Sequence, residues 1–116
     1  MVDNKNFYKK KILIDLDGVL NTYDEIFDKD FIPPLKDGAK EFVEKLHKDF
    51  DLYLYTSRNL LLASKWLVEN GLDVFFRDVT NSKIPAYLYL DDRALKFNGN
   101  FDETIKEITN FHVYWK

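Results

Sequence analysis

Four aspartates stand where two apolar runs stop: Asp15 and Asp17 follow Ile12-Leu13-Ile14, and Asp91 and Asp92 follow Tyr87-Leu88-Tyr89-Leu90. Carboxylates at the end of a hydrophobic strand do not serve packing, because a buried charge without a partner is costly or must neutralise. Such groups call for a cation. Ligands of open α/β sheets bind at the carboxyl ends of the strands, so acids arriving there from two strands suggest a hard divalent ion held by oxygen. Magnesium is the first candidate.

Other reactive types fall at comparable places. Thr56, Ser57 and Arg58 follow the run Leu52-Tyr53-Leu54-Tyr55, and Lys83 lies shortly before Ala86–Leu90. Together these are the parts of a phosphoryl-transfer site: a nucleophile, a metal to hold phosphate oxygens, and donors or cations around the equatorial charge. One aspartate can attack phosphorus and form an aspartyl-phosphate, while a second protonates the leaving oxygen and later activates water. The two-residue spacing of Asp15 and Asp17 suits that division only if the backbone leaves strand geometry between them, and Gly18 permits this.

The elements that must carry these residues can be read from periodicity. Lys11–Leu16 has strand length and composition; residues 18–36, with Gly18, Asn21, Pro33 and Pro34, read as a loop with a small hairpin or turn. Ala39, Phe42, Val43, Leu46 and Phe50 follow the spacing of one helical face, with Asp37 as N-cap. Leu52–Tyr55 is a second strand, Asn59–Asn70 a second helix stopped by Gly71, Val74–Phe76 a third strand and Ala86–Leu90 a fourth. Asp102 caps a last helix through Ile105 and Ile108, and His112–Trp115 reads as an edge strand. This alternation predicts an α/β fold, a doubly wound, mainly parallel sheet with helices on both faces.

Bulk properties narrow the classes. The chain has 116 residues, which reads as one domain over 1–116 that buries about two-thirds of its unfolded surface. It is 46% hydrophobic and 16% aromatic, with no cysteine. No run approaches the ~20 apolar residues of a membrane helix, and the polar first ten residues do not resemble a signal peptide. A soluble, cytoplasmic protein is expected. The net charge of −3 supplies no basic field for a polyanion, so nucleic acid is disfavoured as a partner.

The chain resembles the haloacid-dehalogenase-like hydrolases, whose first motif, Asp-x-Asp-x-Thr/Val, matches Asp15-Leu16-Asp17-Gly18-Val19. The second motif, a Thr or Ser ending the second strand, falls on Thr56; the third, a Lys, on Lys83; the fourth, an acid pair, on Asp91-Asp92. All four occur in family order. The resemblance implies a Rossmann-like core and a magnesium-dependent phosphatase. Asp15 would be nucleophile and metal ligand, and Asp17 the general acid/base, lending a backbone carbonyl to the metal. Thr56 would hydrogen-bond the phosphoryl group, Lys83 would neutralise Asp15 and phosphate, and Asp91 and Asp92 would complete the metal site. Ser57 and Arg58 join the expected phosphate contacts, and Arg58 or Arg93 can supply part of the charge.

Each feature has a plainer reading. Asp-Leu-Asp-Gly occurs in simple turns, Thr56-Ser57 can cap the following helix, and a lysine such as Lys83 is commonly solvated. His47 and His112 lack metal-ligand company and read as surface or edge residues. The stretch Leu60–Val68 is too apolar for one helix face, which suggests core packing first and a homodimer contact or substrate-facing patch second. A receiver domain would use similar residues, but in the order acid pair, Asp, Thr, Lys, which this chain does not follow. A catalytically silent module of the same fold, binding metal and a phosphorylated partner, is the alternative to an enzyme. No stretch between the motifs is long enough for a cap domain. The resemblance therefore implies an open site for a phosphorylated macromolecule, or for a small nucleotide or sugar phosphate enclosed by the 18–36 loop or a second subunit.

Overall fold

The computed structural model describes residues 9–24, 26–91 and 99–110. Four parallel strands form the sheet: β1 (Lys10–Asp15), β2 (Phe50–Tyr55), β3 (Phe76–Thr80) and β4 (Leu88–Leu90), in the order β3-β2-β1-β4. The chain winds outward from β1 through β2 to β3, then returns to place β4 on the other side of β1. That reversal makes the fold doubly wound, and it opens a crevice beyond the ends of β1 and β4 where ligands of such sheets bind.

Register explains the core. Ile12 pairs with Leu52 and Leu88, and Ile14 with Leu54 and Leu90, so six aliphatic side chains share one face. They form one cluster with the buried residues of helices α1 (Ala39–Leu46), α2 (Leu60–Glu69) and α3 (Phe101–Asn110). In α1, Ala39, Phe42, Val43 and Leu46 repeat at helical spacing and all are buried. Phe42 is buried and stacks on Phe101 of α3 at 4.9 Å between centroids; covering a side chain of that size contributes roughly 1.5–3 kcal/mol. The second sheet face carries Leu13, with Tyr53 and Tyr89 in register on either side of it. Leu13 is buried there but stands outside the main cluster.

Several expected boundaries move. Phe50 does not continue α1: the helix closes at Leu46, Asp49 N–H bonds Leu46 O, and Phe50 opens β2 opposite Lys10. Asp37 is not the N-cap. Gly38 holds that place at φ +86°, a left-handed conformation that favours glycine, and a Cβ there would press on the Phe101 ring at 3.0 Å. The third strand is displaced, because Asp73–Phe75 is a single 3-10 turn and β3 starts at Phe76. Asn100 rather than Asp102 caps α3, its Oδ1 accepting from Glu103 N–H at 3.0 Å. The edge strand expected at 112–115 lies outside the described residues. Among the described residues, no helix is long and apolar enough to cross a membrane.

Candidate active site at the ends of β1, β2 and β4

The residues around Asp17 form a clamp. β1 ends at Asp15, and Leu16–Leu20 then make a wide turn in which Asp17 is extended (φ −72°, ψ 124°) and Gly18 is left-handed (φ +85°). The backbone therefore leaves strand geometry between the two aspartates, and the carboxylates meet different neighbours. Arg58 Nε donates to both Asp17 oxygens, at 3.1 and 3.0 Å, and Asn21 Nδ2 donates to Asp17 Oδ1 at 2.9 Å. Asn21 is fully buried, and its own Oδ1 accepts from Gly18 N–H and Tyr23 N–H. It holds the turn as well as the acid.

Arg58 reaches further. Its side chain is 0% exposed, and Nη1 donates to the Asp28 and Phe31 carbonyls at 2.8 and 3.1 Å, tying the 22–34 loop to the end of β2. Nη2 is buried with no hydrogen-bond partner among the described residues. The Phe27 ring lies 4.6 Å from the guanidinium carbon, so an aromatic face covers this cation. At its base the loop is pinched by the antiparallel bridge Asn21–Leu35, by Thr22 N–H to Pro34 O and by Lys36 N–H to Leu20 O. Trp66 Nε1–H donates to Pro33 O from α2.

On the β4 side, Asp15, Lys83 and Asp91 line one small cavity of about 10 Å³, together with Leu13, Tyr55, Tyr89 and Leu90. That is room for about one water-sized occupant. Lys83 Nζ lies 3.3 Å from Asp91 Oδ2 and 5.6 Å from the ring centroids of both Tyr55 and Tyr89. The loop that carries it is held by the Tyr89 hydroxyl, which donates to Ile84 O at 2.7 Å.

Thr56 is 1% exposed at the end of β2, its N–H bonded to Thr80 O. Its Oγ1 accepts from Arg58 N–H at 3.0 Å, and no acceptor takes its hydroxyl proton among the described residues. The helix-capping reading of Thr56-Ser57 does not hold, because Asn59 caps α2 through Oδ1 and Leu62 N–H. Ser57 is exposed beside it.

The structure thus brings Asp15, Lys83 and Asp91 together and sets Asp17 with Arg58 and Thr56 on the β2 side. Asp92 and Arg93 lie outside the described residues. Sequence reasoning passed over Asn21, read there as a loop marker, and Phe27, Tyr55 and Tyr89. The polar Asn21 following Asp-x-Asp-Gly was the available signal for the first. His47 packs against Phe75 at 4.8 Å between ring centroids, and His112 lies outside the described residues.

Two features bear on a metal. Among the described residues no group of three or more acids and histidines is placed to hold an ion. Asp15 and Asp91 nevertheless share the small cavity, and magnesium commonly uses one or two carboxylates, completing its shell with water and substrate oxygens. The donor set fits that mode.

The fold and these strand-end residues define an all-parallel, doubly wound α/β domain with a polar crevice at its switch point. No protein-family signature matches the chain, and no curated protein matches it. It is similar to a solved structure described as a conserved protein coded by a locus from Bacteroides thetaiotaomicron, with TM-score 0.68 and 20% identity over 89% of this chain and 92% of that one. At that identity the likeness concerns the fold.

Proposed function

We propose that the crevice hydrolyses phosphomonoesters with magnesium, in the manner of the haloacid-dehalogenase-like enzymes. The observation that carries this reading is the meeting of Asp15, Lys83 and Asp91 around one ion-sized cavity at the switch point, with the Thr56 hydroxyl, whose proton no described residue accepts, on the adjoining strand. Asp15 and Asp91 would hold the ion, which when bound supplies positive charge to the phosphoryl oxygens.

The chain's own residues do the rest. The Asp15 carboxylate attacks phosphorus, the bond to the leaving oxygen breaks, and that oxygen takes a proton from Asp17. Asp17 then accepts a proton from the water that releases phosphate and restores Asp15. Lys83 offsets the charge of the acids, and the Thr56 hydroxyl donates to a phosphoryl oxygen. Asp17 cannot give its proton while both its oxygens face Arg58 Nε, so its side chain must turn toward the leaving group.

A second reading draws on that same contact. A module that binds metal and a phosphorylated partner without turnover has no need to release Asp17 from Arg58. The two separate in one experiment: the purified protein is assayed against a broad phosphomonoester panel with saturating magnesium and again after chelation. Turnover that disappears with the metal supports hydrolysis. Silence across the panel with magnesium present, alongside retained phosphate binding, favours the module.

A further inference from the structure

Beside the clamp lies a cavity of about 400 Å³ lined by Phe27, Lys29, Asp30, Ser57, Arg58, Asn59 and Leu62. It meets the candidate active site through Arg58, whose guanidinium joins the cavity wall to the Asp17 carboxylate. We propose that this cavity receives the leaving group of the substrate, and that the leaving group carries a planar ring system. The proposal rests on the phosphomonoester reading of the site and chooses, within it, ring-bearing esters over plain sugar phosphates.

Three observations support a flat ligand. Phe27 is a large apolar side chain left 55% exposed, and one face of its ring lies over the Arg58 guanidinium at 4.6 Å. A phenyl group backed on one face while still open to solvent is a stacking platform, and an offset ring pair is worth ~0.5–1.5 kcal/mol beyond the area it buries. Leu62, packed against the core from the first turn of α2, adds a second apolar wall. The rim is polar but not strongly charged: Lys29 and Asp30 offset each other. Ser57 is exposed, and the Asn59 amide has spent its oxygen on the cap and keeps Nδ2 as a donor. A sugar alone would leave the apolar walls wet. A ring would cover them and present its edge to Ser57 and Asn59. The volume lies within the ~300–1,000 Å³ range of small-molecule sites.

The test compares esters of primary alcohols in pairs that differ chiefly in the presence of a planar ring system: a nucleoside 5′-monophosphate against ribose 5-phosphate, and naphthylmethyl phosphate against ethyl phosphate. Expected is a kcat/KM ratio of about tenfold in favour of the ring-bearing member, falling toward unity in Phe27→Ala and retained in Phe27→Tyr. A preference in both pairs assigns recognition to the ring face. A preference confined to the nucleotide pair adds the Ser57 and Asn59 edge, and either result sustains the proposal if Phe27→Ala removes it. Equal rates within each pair, or a preference indifferent to Phe27→Ala, overturn it.

A binding arm separates this from the hydrolase reading. With magnesium, naphthylmethylphosphonate should bind Asp15→Asn protein about tenfold tighter than methylphosphonate, with the advantage lost when Phe27→Ala is added. If that holds while no ester is turned over by the wild type, the hydrolase reading falls and the ring subsite stands. Turnover without any ring preference gives the reverse.

Discussion

Two ion pairs flank the end of β1, similar in chemistry and different in housing. Arg58–Asp17 on the β2 side is closed at 3.0 Å, with side chains 0% and 20% exposed; Lys83–Asp91 on the β4 side is closed at 3.3 Å, with 38% and 10%. Arg58 also spends donors on two loop carbonyls, whereas Lys83 Nζ has two tyrosine rings nearby and lines a cavity with Asp15. A planar guanidinium with five fixed donors suits the first task, and a compact ammonium on a flexible stem suits the second. The difference separates a cation bound into the loop framework from one that lines a cavity beside Asp15.

The largest expected effect falls between the two pairs. Asp15→Asn should take turnover below detection while leaving the fold intact, since the amide keeps the shape but is a very poor nucleophile. Residual activity within about tenfold of wild type, a far smaller loss than removal of an attacking group brings, would strip Asp15 of that role; circular dichroism confirms the fold.

Asp17→Asn comes next, and its penalty should depend on the substrate. General acid–base help is typically worth ~10²- to 10⁴-fold, so phosphorylation should slow by that much with alkyl esters and by less with nitrophenyl phosphate. Rapid-quench trapping of the phosphoenzyme measures it. Equal losses for both leaving groups would leave Asp17 as a partner of Arg58 alone, which sharpens the contrast with Asp15.

The two cations should then diverge in stability. Arg58→Met leaves the largely buried Asp17 carboxylate with the Asn21 amide and strips the Arg58 donors from the Asp28 and Phe31 carbonyls, and breaking a buried pair costs about 3–5 kcal/mol. A fall in Tm on the order of 10 °C follows for a domain of this size. Lys83→Met removes a cation that is itself partly exposed and, among the described residues, ties down no loop carbonyl, so Tm should fall by less than in Arg58→Met while kcat/KM is depressed. If calorimetry finds the two variants equally unstable, the distinction between framework cation and cavity cation collapses.

The sequence carried the β4 side of the site more legibly than the β2 side. Asp15 and Asp91 are readable because each follows directly on an apolar run, and run ends mark strand ends whatever the rest of the chain does, whereas Lys83 is picked out only by the motif order of the family resemblance. Arg58 was visible as a positive charge but not as a clamp, since beyond Asp17 its partners are the main-chain carbonyls of Asp28 and Phe31, and a carbonyl has no residue type to announce it. Asn21 looked like any turn residue. Its burial depends on how the loop folds back to Leu35, which periodicity does not encode.

The fold shows the same division. The alternation of elements predicts a parallel sheet but no strand order, and Val74-Phe75-Phe76 is too short an apolar run to distinguish strand from turn. Val74 is 74% exposed. The strand that does form, Phe76–Thr80, carries the charged Arg77 and Asp78, skips Arg77 in its pairing with β2, and is an edge strand among the described residues.

The bond from Trp66 Nε1 to Pro33 O makes the indole an optical gauge of the loop. Trp66 is 6% exposed, and its polar atom is spent on the segment whose other end Arg58 holds. Lifting that segment would wet the indole and shift its emission to longer wavelength, whereas a ligand that tightens the loop would leave the band blue. The chain has two tryptophans; with Trp115→Phe, emission would report on Trp66 alone, and stopped-flow fluorescence could time loop movement without an attached dye.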